Sequence, residues 1–444
     1  MLNRRDFLTT SAAAAAAVLA PSRLLAAVQQ QTPPMPDLSR WSDVRVQFDL
    51  NPNLIHFATF YLVSHPRPVR EAIEAYRRAL DQSPFLEVEQ RMFSDKPENL
   101  QLKVRDDMCG YLGAKREEIA ITGNTTTSLA MVWHGLPLAA GDDVLTTTHD
   151  HYSHHECIRF ATQRAGATVR KVALYRDPAK ASVAEIAQNL RAAIRPNTRA
   201  IGVTWVHSST GVRLPLRDLV RVVADANRGR SEDKRALLVV DGVHGFGCTD
   251  ETVGTIGCDY FCAGTHKWMF APRGTGIIWA NADNWARLRP LIPTFTNQPA
   301  FEAWLAGEPP PSPVNAYDMT PGGFHAYEHQ WAMSAAFRFH EQIGKARVAQ
   351  RIRELNDRCK AGLAAIPGVR VLTPRDSALS AGIIAFEVQG KKTDEVVAKL
   401  LDRHIVGSAS PYNPAMPRLA PSLVNTPEEV DEAVKAVKAI AAAK

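Results

Sequence analysis

Four short segments of this 444-residue chain carry residue types that can do chemistry. Asp241 ends the apolar run Leu237-Leu238-Val239-Val240, within Asp241-Gly242-Val243-His244. A carboxylate at the end of a buried strand is costly unless it meets a cation, and a protonated pyridine nitrogen would be one. Lys267 follows 26 residues later, in Ala263-Gly264-Thr265-His266-Lys267-Trp268, at the end of the next apolar run. A lysine there, flanked by small and polar residues, can form a Schiff base with an aldehyde. Read singly, it would pass for an exposed structural lysine. The third segment, Thr122-Gly123-Asn124-Thr125-Thr126-Thr127, turns from strand into helix. Free backbone N–H groups, the helix dipole and the hydroxyls there suit a phosphate, although plain helix capping would look the same.

The fourth segment runs His149-Asp150-His151-Tyr152-Ser153-His154-His155-Glu156. Its histidines invite a metal, with His151 and His155 four apart. The capping box Ser153…Glu156 instead places His154 and His155 in an exposed first helical turn, so no metal site is expected. Tyr152, just before that helix, is placed to lay its ring over a flat cofactor.

These segments need elements to position them. Strand-like runs at Glu118–Thr122, Asp143–Thr147, Ala167–Leu174, Arg199–Trp205, Ala236–Val240, Tyr260–Ala263 and Gly276–Trp279 alternate with amphipathic helices at Thr125–Gly135, Ser153–Gly166 and Ser182–Ile194, and with one entered at Pro215. Such alternation builds a mainly parallel sheet with helices on both faces, whose ligands bind at the carboxyl ends of the strands. From about Gln330 the texture changes. A long helical stretch to Leu363, strands near Val369–Leu372 and Gly382–Val388, and helices near Thr393–Arg403 and Pro427–Ala442 predict a smaller α+β domain. The expected organisation is therefore 28–45 linker, 46–325 large α/β domain (its first residues joining the small one) and 326–444 small domain.

Residues 1–27 read differently. Arg4-Arg5-Asp6-Phe7-Leu8, an alanine-rich middle and a small-residue end make a signal peptide of the twin-arginine type. The expectation is export to the periplasm, or otherwise out of the cytoplasm, by that machinery, in a folded state that suits a protein loading its cofactor first. The net charge of +6 falls to +4 beyond residue 27, too weak and scattered for nucleic acid. No apolar run outside the N-terminus is long enough to span a membrane, and no stable membrane association is expected. Six cysteines without a CxxC pair give no zinc pattern, and folding before export argues against reliance on disulfides.

Taken together and in this order, the four segments resemble the class V aminotransferase family of fold-type-I pyridoxal 5′-phosphate enzymes. The likeness covers roughly residues 48–440 and is nearest to the isopenicillin N epimerase-like branch, which is related to cysteine desulfurases. It implies that Lys267 carries the cofactor, Asp241 pairs with the ring nitrogen and His244 reaches the phenolic oxygen side. By the same likeness Tyr152 stacks, while Thr125, Thr126 and His266 hold the phosphate. Arg418, in the closing motif Arg418-Leu419-Ala420-Pro421-Ser422, would grip a substrate carboxylate; the plain alternative is a surface cation. Two departures matter. No cysteine occurs in Arg403–Ser410, where desulfurases carry their nucleophile, which counts against persulfide chemistry. Gly264 replaces a phosphate-binding serine, leaving Thr265 as the substitute. The resemblance implies a homodimer, with Thr320–His325 as a candidate inter-subunit phosphate loop. It also implies a small-molecule amino or peptidyl substrate, turned over in an aminotransferase-like or epimerase-like way. A C–S lyase is the alternative enzyme, and an inactive exported binding protein the alternative of another class.

Overall fold

The computed structural model describes residues 35–93 and 98–443. The signal segment therefore lies outside the described residues. Strand β1 (Ile55–His56) precedes the large sheet, which contains β2 (Ile119–Thr122), β3 (Asp143–Thr147), β4 (Thr168–Val172), β5 (Thr198–Thr204), β6 (Leu237–Asp241), β7 (Tyr260–Gly264) and β8 (Gly276–Trp279). Their order is β2-β8-β7-β6-β5-β3-β4, and β8 alone runs antiparallel to its neighbours. This is the expected α/β fold.

The strands are apolar because helices cover both faces. Alternation then sorts the side chains. Leu238, Val240, Phe261, Ala263 and Ile277 enter one core, and Leu237, Val239, Tyr260, Cys262 and Ile278 the other. With β6 and β7 locked between two cores, their last residues, Asp241 and Gly264, are fixed at one sheet edge.

A second sheet, antiparallel, has the order β12-β13-β10-β9 and comprises β9 (Val369–Val371), β10 (Ile384–Val388), β12 (Ser408–Ala409) and β13 (Pro417–Leu419). Between them β11 (Ile405–Val406) pairs in parallel with β1, so residues near 55 join this unit.

Two expectations change. The single helical stretch Gln330–Leu363 is two helices, Tyr327–Ile343 and Lys345–Ala364, broken at Gly344 with φ +94°. Ala332, Met333 and Phe337 of the first pack into the large core, and Leu355, Cys359 and Leu363 of the second pack beneath the small sheet, while Phe339 and Ile343 share a further core with Val348 and Ile352 across the break. Residues 35–45 of the expected linker are docked: Leu38 and Val44 are buried beside Trp268, Phe270 and Phe339. Arg347 holds the Leu38 carbonyl at 2.7 Å, and its guanidinium lies 4.5 Å over the Trp41 ring.

Candidate active site

The functional side chains converge at the carboxyl edge of the large sheet. Asp241, last in β6, is buried, and its carboxylate accepts the Val243 N–H at 3.1 Å. Burial pushes its carboxyl up from 3.8 to about 7, against the lowering effect of that N–H and of Lys267. Lys267 lies three residues beyond β7, and burial lowers its amine from 10.5 to about 8 even with Asp241 pulling the other way. His244, one turn after Asp241, is buried with its ring edge-on to Phe60 at 6.1 Å. Its Nδ1 has no hydrogen-bond partner among the described residues, and burial together with the Lys267 charge holds the ring neutral.

At the first strand end, Asn124 caps the helix Thr125–Gly135 by accepting the Thr127 N–H at 2.9 Å. Thr125 is buried and its hydroxyl accepts the Gly264 N–H at 2.7 Å, so it ties the helix start to the lysine strand. A side chain at Gly264 would meet His266 Cε1 at 2.7 Å and Thr125 Oγ1 at 3.0 Å. The imidazole and the threonine therefore occupy the space a serine would need. Thr126 is exposed in the first helical turn, where backbone donors lack intrahelical acceptors.

Arg418, in β13, is 4% exposed. It donates to the Ser208 carbonyl at 2.6 Å, the Ala409 carbonyl at 3.0 Å and Ser408 Oγ at 3.2 Å, and lies 4.5 Å over the Phe60 ring. Burial lowers it to about 10. Among the described residues, neither Arg418 nor Lys267 nor Asp241 has an ion-pair partner. Buried charges are normally paired.

Three expected residues stand elsewhere. Tyr152 opens the helix Tyr152–Ala165, is 72% exposed, and shares an outward face with the exposed pair Glu156–Arg159. The ring that turns inward is His151, the actual N-cap, whose Nδ1 accepts the Ser153 N–H at 3.2 Å. Burial and the charges of Lys267 and Arg418 lower its pKa. The capping box fails because His151, not Ser153, starts the helix. His154 is consequently fully buried beside Trp133, in room that Gly202 leaves open, and not solvated as expected. Thr265 already has a hydroxyl partner of its own. It is buried, with its hydroxyl 2.5 Å from Thr275 Oγ1, and staples the β7–β8 turn that carries Lys267. In the candidate inter-subunit loop, Thr320 is buried and its hydroxyl accepts from Arg105 at 2.8 Å, whereas Phe324 is exposed.

Four contributors escaped the sequence reading: Phe60, Asp150, Ser208 and Tyr412. Asp150 accepts the Thr147 and Thr204 N–H groups, each at 2.7 Å, and so ties the ends of β3 and β5 together under the site. Only its place just past a strand end could have signalled this.

Residues 65–419 match the model of the aminotransferase class V family. The chain belongs to this family. Its first 21 residues match the twin-arginine translocation signal, so this class V protein carries an export signal. It is 26% identical to isopenicillin N epimerase of Streptomyces clavuligerus and 28% identical to that of Amycolatopsis lactamdurans, each match covering 90% of this chain and 98% of the relative. In fold it is similar to the cysteine desulfurase of Thermococcus onnurineus NA1, with a TM-score of 0.75 at 20% identity over 90% of this chain and 98% of that one. No described helix is long and apolar enough to cross a membrane.

The cofactor of class V enzymes is pyridoxal 5′-phosphate, and the residues present fit it. Asp241 would suit its ring nitrogen, Lys267 its aldehyde, the unpartnered His244 edge its phenolic oxygen, and the Thr125 helix start with His266 its phosphate.

Proposed function

We propose that this class V protein is an exported pyridoxal-phosphate enzyme acting at the amino group and α-carbon of an amino acid or peptidyl amino acid. The reading is aminotransferase-like or epimerase-like. It rests above all on buried Asp241 and Arg418 and half-buried Lys267, three ionisable groups that converge without ion-pair partners among the described residues. The similarity to isopenicillin N epimerases along nearly their whole length supports it.

When bound, pyridoxal phosphate supplies an aldehyde for amines and a pyridinium that withdraws electrons from the α-carbon. Asp241 holds the proton on the ring nitrogen. Arg418 grips the substrate carboxylate as a fork, while three neighbours fix its guanidinium plane. Lys267 removes the α-proton. Its amine, lowered to about 8, is free base in a useful fraction near neutral pH, as a general base must be. His151 covers one ring face, and Phe60 keeps water from both Arg418 and His244. The reading includes a homodimer in the periplasm, for which exposed Tyr61, Phe295 and Phe324 offer apolar surface; sedimentation as a single-chain mass would remove that part.

Borohydride treatment of the loaded protein should fix the cofactor on Lys267. An amino-acid and aminopeptide panel in heavy water should show α-proton exchange, which amino transfer and epimerisation share. Label on another lysine, or no exchange with any carboxylate-bearing amine, would sink the reading. Loading of cofactor-free protein should speed up as pH rises through about 8, where Lys267 loses its proton.

A further inference from the structure

The loop between β12 and β13 brings a phenol into the site. The two strands pair Ser408 with Arg418 and Ala409 with Pro417. The intervening loop closes at its base, with the Ser410 N–H on the Met416 carbonyl at 2.8 Å and the Met416 N–H on Ser410 Oγ at 2.9 Å. The Thr393 hydroxyl pins the Ala415 carbonyl at 2.7 Å. At the tip Pro411, Asn413 and Pro414 are exposed, while Tyr412 turns inward. Its hydroxyl lies 2.6 Å from Ser208 Oγ, and its ring meets His151 edge-on at 6.3 Å. Ser208 is the residue whose carbonyl takes Arg418 at 2.6 Å. One residue of the turn that follows β5 is thus held by the carboxylate-binding arginine and by the phenol.

A substrate with its carboxylate on Arg418 and its amine toward Lys267 still has a side chain to place. The phenol stands between Arg418 and the inward ring of His151, beside that third substituent. Resting on the α-carbon reading above, we propose that Tyr412 is a specificity-determining residue: it closes the side-chain pocket, admitting small or hydrogen-bonding side chains and rejecting bulky ones. Burial pushes the phenol up to about 12, so it stays neutral and offers a hydrogen bond without a charge.

The test titrates holoenzyme with α-methyl amino acids, which lack an α-proton and report binding alone through the cofactor absorbance. Wild type should bind 2-aminoisobutyrate and α-methylserine and reject α-methylphenylalanine. Tyr412→Ala should improve α-methylphenylalanine relative to 2-aminoisobutyrate by about 10–200-fold, the range by which an apolar pocket discriminates size. Tyr412→Phe should still reject the bulky probe but lose about 2–10-fold for α-methylserine, the worth of one neutral hydrogen bond. Should Tyr412→Ala melt early, Tyr412→Val carries the same comparison. An unchanged ratio in a variant that melts like wild type overturns the assignment of Tyr412 alone. Failure of wild type to bind any probe, with cofactor on Lys267, overturns the α-carbon reading and this inference with it.

Discussion

Asp241 and Lys267 stand at the ends of adjacent strands of the seven-stranded sheet, clamped between two apolar cores, whereas Arg418 and Tyr412 hang on a short pairing at the edge of the four-stranded one. The first pair is desolvated and has no ion-pair partner among the described residues, so burial drives both groups toward their neutral forms. The second is satisfied by its own chain: carbonyls hold Arg418, and Ser208 holds Tyr412. The cofactor half therefore stores an electrostatic demand that only a charged guest can meet. The substrate half stores geometry, and its contacts to Ser208 run between the two units. Damage to the first should appear in the chemical step and in the pH dependence of the empty protein. Damage to the second should appear in binding.

The largest effect should come from Asp241→Asn, which keeps volume but cannot hold the ring proton. Exchange at the α-carbon should fall about 10²–10³-fold, the cost of losing one preorganised electrostatic partner, with substrate affinity changed far less. The empty protein gives an independent reading. Asp241 rises to about 7 on folding, so the folded state keeps a proton that the unfolded chain releases near 3.8. That stabilisation is fully present below about 4 and is lost as pH rises through 7. The difference between wild type and Asp241→Asn should therefore shift by up to about 4 kcal/mol across this window in denaturant titrations of cofactor-free protein. A flat difference would make Asp241 an ordinary structural carboxylate.

Next in size is Arg418→Ala, which should weaken carboxylate-bearing substrates by about 1.5–3 kcal/mol, the worth of hydrogen bonds to a charged group. KM should carry the loss while turnover at saturation stays near wild type. If the loss fell on turnover instead, the division between the two halves of the site would be wrong.

The cofactor half was the more legible in sequence. An apolar run that stops at an aspartate, and another that stops just before a lysine, announce buried strand ends, and β3, β8 and the helix Thr125–Gly135 have the bounds that pattern predicts. The substrate half gave little warning, because Tyr412 owes its place to a loop closed by backbone hydrogen bonds, which no periodicity encodes. The partner of Thr265 was hidden for a related reason: its hydroxyl meets Thr275 across a turn, a contact that no sequence spacing announces. The break at Gly344 was missed because the apolar pattern continues through it, although the φ of +94° that ends the first helix there is one glycine adopts readily.

The smallest effect tests the one-residue displacement at the helix start. A helix cap has extended backbone, so its side chain and that of the first helical residue point in different directions. His151 as cap turns toward Lys267, and Tyr152 joins the outward face of Glu156 and Arg159. Burial and the neighbouring cations keep the His151 ring neutral near pH 7, which spares a ring stacked on a pyridinium from like-charge repulsion. His151→Ala should therefore weaken cofactor binding by about 0.5–1.5 kcal/mol, the typical worth of an aromatic contact, or about 2–12-fold in Kd. His151→Phe should recover most of it. Tyr152→Ala should leave cofactor affinity within twofold of wild type. The reverse ranking, with Tyr152→Ala releasing cofactor and His151→Ala retaining it, would show that the helix start rearranges when the cofactor loads and that the tyrosine supplies the ring after all.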